Sequence, residues 1–471
     1  MKTRIEADSM GDLAVPVNAY YGVQSFRARK NFNITGRYLN PMFVSNLIRI
    51  KKAAAITNQA AGTLDTVRAR AIQAACDEIL DGKLIKEFIV DSIQGGAGTS
   101  ANMNANEVIA NRAIELLGGR KGDYSLVHPN DHVNMAQSTN DVIPSAGKLT
   151  VLELLTLLLK ELKRLQSTLS DKSKEFDHIL KIGRTQLQDA VPMRLGQSFS
   201  AYAAVIARDI KRLERAKEDM LSLNMGATAI GTGINASPYY RMHIVTVINE
   251  VCGTNCEQSE DLFDATQNLD GFVHISAMLK VCVVNLSKIC NDLRLLSAGP
   301  RAGFYEINLP AMQNGSSIMP GKVNPVIPEV VNQVAFEVIG NDMTITMAAE
   351  AGQLELNAFE PVLFYNLFES LESLKGAVIT LRDNCVSGIT ANEERCQELL
   401  NKSVGISTAL CPFIGYQKAA ELAKKSLATG KNLKELVLEE KLLTKEQLDV
   451  ILNPYTMTEP SKFVGKMMVN S

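Results

Sequence analysis

The chain has 471 residues, is 46% hydrophobic and 21% charged, and carries 49 Lys plus Arg against 51 Asp plus Glu. That length predicts two or three domains, and so balanced a charge excludes nucleic acid or an anionic membrane as a partner held by net charge. No unbroken apolar run of membrane-spanning length is evident, and Met1–Asp8 lacks the apolar core of a secretory signal, so a cytoplasmic protein is expected.

From Arg4 to about Asn40 the sequence is extended and punctuated by Pro and Gly, with helical patterning from Phe43 onward. A long helix is predicted from about Ser145 to Phe176, where Leu152, Leu155, Leu159, Leu162, Leu165 and Leu169 recur at helical spacing. Further long helices are expected over Gly196–Leu223, Phe272–Leu296, Glu329–Glu350 and Pro361–Asp383. Segments of roughly 25–30 residues are about 40 Å long. Stretches such as Ala277–Leu286 are apolar on more than one face, which implies burial on more than one side and association with other copies. After Gly388 shorter helical pieces follow, and Thr444–Gln447 reads as a capping box. Strand signal is confined to the N-terminus and to Phe304–Ile307.

The eight cysteines form no Cys-x-x-Cys pair and read as buried reduced thiols. The five histidines include no His-Glu-x-x-His, which argues against a zinc hydrolase.

Four polar segments stand out. Gly315–Glu329 holds two adjacent hydroxyls, a Pro-Gly hinge, a lysine and an asparagine, and Pro325 and Pro328 are expected to delay the next helix until Glu329. Gly95–Glu107 is glycine-rich, and Thr99 or Ser100 is placed to cap the helix that follows. It lacks the Gly-Lys-Ser/Thr of a phosphate loop. Gln137–Pro144 offers Ser138, Thr139, Asn140 or Asp141 as an N-cap, and Gly183–Pro192 reads as a polar turn between helices. Each segment is also readable as an ordinary loop or cap. Their shared chemistry, hydroxyl and amide donors near helix ends with few carboxylates, suits a small dianion without a nucleotide.

These segments carry a resemblance to the aspartase/fumarase superfamily over essentially the whole chain. Gly315–Asn324 resembles its Gly-Ser-Ser-x-Met-Pro-x-Lys-x-Asn signature, and Gln94–Asn106 and Asn130–Asp141 are similar to its two other blocks. Val323 is similar to fumarases and aspartases, where the argininosuccinate and adenylosuccinate branches carry a basic residue. Pro325–Gln333, Thr346–Gln353 and Gln186, which stands where class II fumarases carry histidine, resemble the aspartase branch.

The resemblance implies a mainly α fold in three domains, 1–140, a central long-helix bundle over 141–390, and a small helical domain over 391–471. It implies homotetramers whose sites are shared between subunits. The implied reaction is anti elimination of ammonia from L-aspartate to give fumarate, by way of an aci-carboxylate. Ser316 would be the general base, helped by Lys322. Thr99, Ser138, Thr139 and Ser317 would surround the β-carboxylate, and Lys322 and Asn324 would bind the α-carboxylate. Asn140, Thr185 and Gln186 would orient the amino group, with Glu329 near Gln186 or a second proton site. No organic cofactor is implied, and modulation by a divalent cation has no readable site. The alternatives are a class II fumarase on the same scaffold and a non-catalytic structural bundle.

Overall fold

The computed structural model describes residues 2–459. Long helices dominate it, over Thr139–Glu175, Leu195–Ala216, Asp270–Leu296, Val326–Glu350 and Glu360–Asn384, and among the described residues the strands form four two-stranded sheets. The described residues divide into two compact units. The first draws on Met1–Lys160, Asp209–Val283 and Val334–Lys375, the second on Glu161–Arg208, Val284–Gln333 and Gly376–Ser471, so the long helices carry the chain between them. Residues 460–471, the end of the expected C-terminal segment, lie outside the described residues, as does Met1.

The longest helix starts at Thr139, six residues earlier than the leucine spacing predicts, and runs through Pro144. Its start is built from side chains: Ser138 Oγ accepts from Asn140 N at 3.2 Å, and Asp141 Oδ1 reaches back to Ser138 N at 2.9 Å. Pro144 has no N–H for Asn140 O, and Asn224 Nδ2 donates to that carbonyl instead, at 3.0 Å. The helix starting at Val326 likewise begins before Glu329, because Pro328 falls in the first turn, where a missing N–H costs nothing.

The first unit packs Phe43, Phe272, Phe364 and Phe368 together, with ring centroids 5.1–5.8 Å apart. Gly147 lets the Thr139–Glu175 helix into this cluster, since a Cβ there would sit 2.3 Å from Phe364 Cζ. In the second unit, Leu410, Leu422, Leu433, Leu436, Val437 and Leu448 form a small core, and Thr444 and Gln447 make the expected capping box. All eight cysteines are free, and six are buried.

Two further elements depart from the sequence expectation. The segment Val23–Asn31 is helical although it lacks an apolar stripe. Its N-terminal donors are satisfied by a distant carboxylate: Glu107 accepts from Gly22 N and Gln24 N at 2.8 Å, from Ser25 N at 3.0 Å, and from Ser25 Oγ. The polar turn at Gly183–Pro192 is a β-hairpin, Leu180–Thr185 paired with Gln188–Arg194.

The apolar-run expectation also needs correction. Thr139–Glu175 and Asp270–Leu296 are each long and apolar enough to cross a bilayer, with 78% and 44% of the apolar window buried inside the protein. Core burial accounts for the first. The second leaves apolar surface exposed, including Val284 at 51%.

Candidate active site

The first unit carries Thr99, Ser138, Thr139 and Asn140. Thr99 opens the Thr99–Leu116 helix behind three successive left-handed residues, Gly96, Ala97 and Gly98, at φ 88°, 55° and 84°. Neither Thr99 nor Ser100 caps that helix. Thr99 Oγ1 instead donates to Gly96 O at 2.7 Å, and the capping role falls to Gln94, whose Oε1 accepts from Ala101 N at 2.9 Å. Thr99 is exposed and lines a cavity of about 510 Å³ with Ser100, Met103, His128 and Asn130. Ser138 is the N-cap of the next block, and Asn140 Nδ2 donates to Ala229 O at 2.8 Å.

A buried polar network joins these two blocks. Asn102 Nδ2, one turn after Thr99, lies 3.3 Å from Thr139 Oγ1 and 3.2 Å from Asn134 Oδ1. Asn134 Oδ1 also takes Asn106 Nδ2 at 3.2 Å and the ammonium of fully buried Lys51 at 2.8 Å. Burial pulls the Lys51 pKa down to about 7 and pushes that of buried Asp141 up to about 7. Asp141 in turn accepts from Gly226 N at 3.2 Å and Thr228 N at 3.1 Å, which ties the Ser138–Asn140 block to the 224–229 loop. Lys51 escaped the sequence reading although it shares a helical stripe with buried Leu47, Ala54 and Asn58, an unusual place for a lysine.

The second unit carries Thr185, Gln186, Ser316, Ser317, Lys322 and Asn324. Thr185 and Gln186 stand exposed at the hairpin tip, where Gln186 and Leu187 form the two-residue turn at φ 53° and 61°. Both are left-handed, as a primed turn demands, yet neither is Gly or Asn. Strain of that kind costs roughly 1–3 kcal/mol per residue and collects at working sites.

The Ser316 loop is closed on itself. Gly315 N donates to Lys322 O at 2.8 Å, and Asn324 Nδ2 donates to Gly315 O at 2.7 Å. A Cβ on Gly315 would lie 2.5 Å from Lys322 O, so only glycine admits this closure. Inside the ring, half-buried Ser316 Oγ accepts from Ile318 N at 3.2 Å and Met319 N at 3.0 Å. Two N–H groups aimed at one hydroxyl oxygen favour its negative form. Ser317 and Lys322 are exposed, and among the described residues no ion pair engages Lys322. Glu329 faces Arg294 Nη2 at 3.9 Å, and no hydrogen bond joins it to Gln186. Among the described residues no hydrogen bond joins the hairpin tip to the Ser316 loop, and no group of three His, Cys, Asp or Glu side chains is placed to hold a metal.

Each unit thus presents donor-rich loops at helix ends, the second with a serine under two backbone N–H groups, chemistry that suits a small carboxylate. A family model described as Lyase matches residues 11–340, and one described as Fumarase C C-terminus matches residues 406–459. The chain is 53% identical to an aspartate ammonia-lyase from Bacillus sp, covering 97% of this chain and 98% of that one. It is 51% identical to that of Bacillus subtilis (strain 168), covering 99% and 98%. A crystal structure titled fumarate lyase:delta crystallin from Brucella melitensis bound to cobalt superposes with TM-score 0.95 at 49% identity, over 98% of this chain and 100% of that one. A class II fumarase from Schistosoma mansoni superposes with TM-score 0.94 at 36% identity, over 98% and 100%. The chain belongs to the aspartase/fumarase superfamily. Within it, the full-length likeness at about half identity is to the aspartate ammonia-lyases.

Proposed function

We propose that the chain deaminates L-aspartate reversibly to fumarate and ammonia, with Ser316 as the base. It is an aspartate ammonia-lyase, the activity its full-length relatives carry. The observation that carries the choice of base is the pair of N–H groups on Ser316 Oγ. A serine hydroxyl is far too weak an acid to ionise unaided, and these donors, with the Lys322 ammonium on the same closed loop, stabilise the alkoxide.

Ser316 Oγ takes the Cβ proton anti to the amino group, leaving the electron pair on an aci-carboxylate. That pair then forms the C=C bond as the Cα–N bond breaks and ammonia departs. The intermediate gathers nearly two charges on the β-carboxylate, so preorganised donors from Thr99, Ser138, Thr139 and Ser317 lower the barrier most. Lys322 and Asn324 hold the α-carboxylate. Asn140, Thr185 and Gln186 orient the amino group, and the Gln186 amide cannot act as the proton carrier that a histidine supplies there in class II fumarases. No step is routed through a cofactor.

The working form is a homotetramer in which three chains complete each site, in the cytoplasm, with domains over 1–140, 141–390 and 391–471. Support comes from the first unit, where Phe336, Met343 and Met347 form a helical stripe exposed by 63–65%, more apolar surface than a lone chain leaves in water. Thr99→Ala and Ser316→Ala tetramers, each inactive, are denatured and refolded together. Partial recovery of L-aspartate turnover, with none on L-malate, is expected. No recovery in confirmed mixed tetramers refutes the shared site, and turnover of L-malate would make the protein a fumarase.

A further inference from the structure

Beneath the hairpin tip of the second unit lies a charge cluster that the elimination chemistry does not use. Glu306, at 0% exposure, sits between two cations. Arg184 Nη1 donates to its Oε1 at 2.9 Å, and Lys181 Nζ lies 3.2 Å from its Oε2 while hydrogen bonding to Ile182 O at 2.8 Å. The Arg184 guanidinium also stacks 4.2 Å from the centroid of Phe304. The platform under it is fixed by its backbone, with Glu306 N donating to Leu296 O and Asn392 N to Glu306 O, both at 2.9 Å.

Arg184 immediately precedes Thr185, Gln186 and Leu187, and the strand register slips between Ile182 and Arg184. Beyond that slip only Arg184↔Asp189 and Thr185↔Gln188 pair at the tip, and the two left-handed residues of the turn would relax if released. A buried ion cluster adds little stability over an apolar replacement, but it holds a geometry. We infer that Glu306 is a positioning residue for the substrate amino group: through Arg184 it tethers the strained tip so that Thr185 and Gln186 stay aimed. This rests on the reading that those two residues orient the amino group.

The test uses the assembled enzyme, with L-aspartate as substrate and succinate, the dicarboxylate without an amino group, as inhibitor. In Glu306→Gln, kcat/KM for L-aspartate falls about tenfold or more, because small misplacements are amplified in the rate, while the succinate inhibition constant stays within about twofold. Glu306→Asp recovers part of the loss. Arg184→Gln leaves Lys181 and Glu306 paired, so it tests the tether even where Glu306→Gln fails to fold, and it reproduces the same split. Unchanged kcat/KM in folded Arg184→Gln, or succinate binding that weakens in step with L-aspartate, overturns the proposal. Gln186→Ala is measured alongside. If it shows no split while Arg184→Gln does, the reading of the tip fails; if it shows the split and Arg184→Gln does not, only the tether fails.

Discussion

Glu107→Ala removes the acceptor that holds the start of the Val23–Asn31 helix. Four donors lose their partner, three of them backbone N–H groups at 2.8, 2.8 and 3.0 Å, in a place with 1% exposure. A buried donor left unpaired costs roughly 1–3 kcal/mol, and some water will enter the space left by the side chain, so a loss of about 4 kcal/mol is expected. Glu107→Gln keeps one acceptor and turns an amide N–H₂ toward the donors, for a loss of about 2 kcal/mol. Burial also raises the Glu107 pKa from 4.5 to about 7, against the opposing hydrogen bonds from Ser25, Gln24 and Gly22. The folded protein therefore holds more protons than the unfolded chain between those values. This contribution is full below the unfolded pKa and lost as pH rises through the folded one. At about 1.4 kcal/mol per unit it amounts to about 3 kcal/mol. Glu107→Gln lacks that dependence, so its deficit of about 2 kcal/mol at low pH should close and reverse in sign between about pH 4.5 and 7. Urea unfolding across that range, with hydrogen exchange at the Val23–Asn31 amides, reads both effects. Unaltered protection in Glu107→Ala, or a Glu107→Gln deficit independent of pH, would refute the reasoning.

Lys322→Met should raise KM for L-aspartate and also cut kcat and move its pH profile, since in the proposed mechanism the ammonium both binds the α-carboxylate and favours the Ser316 alkoxide. Lys322→Arg should rescue only part, a planar fork replacing a compact charge, and wild-type kcat in Lys322→Met at saturation would leave carboxylate binding alone. Leu187→Gly should stabilise the hairpin by about 1 kcal/mol, because Leu187 is 63% exposed and held at φ 61°. A lower unfolding midpoint would show that the turn carries no such strain.

The long helices were legible because leucine spacing reports a buried face directly, and the Ser316 loop because Pro320, Gly321 and Pro325 forbid regular structure around it. Helix starts were less so. Thr139 and Val326 begin earlier than predicted because the compensation for Pro144 comes from Asn224, far along the chain, and Pro328 falls where no N–H is needed. The Val23–Asn31 helix was invisible for a related reason, its cap being supplied by Glu107 from another helix. The Leu180–Arg194 hairpin was missed because its turn is Gln186-Leu187, without the Asn or Gly that marks such turns. The four polar segments could be read from their hydroxyl and amide content and the parts of single residues only from the family resemblance, whereas the contacts of Lys51, Asn102 and Glu306 depend on residues far along the chain.

The role of Ser316 is tested most directly by the turnover of Ser316→Ala at saturating L-aspartate, measured by fumarate absorbance in the assembled protein. Removing the base should lower kcat by about a thousandfold, while succinate binds as in wild type and the assembly is unchanged. Turnover within about tenfold of wild type would contradict the assignment and place the base elsewhere.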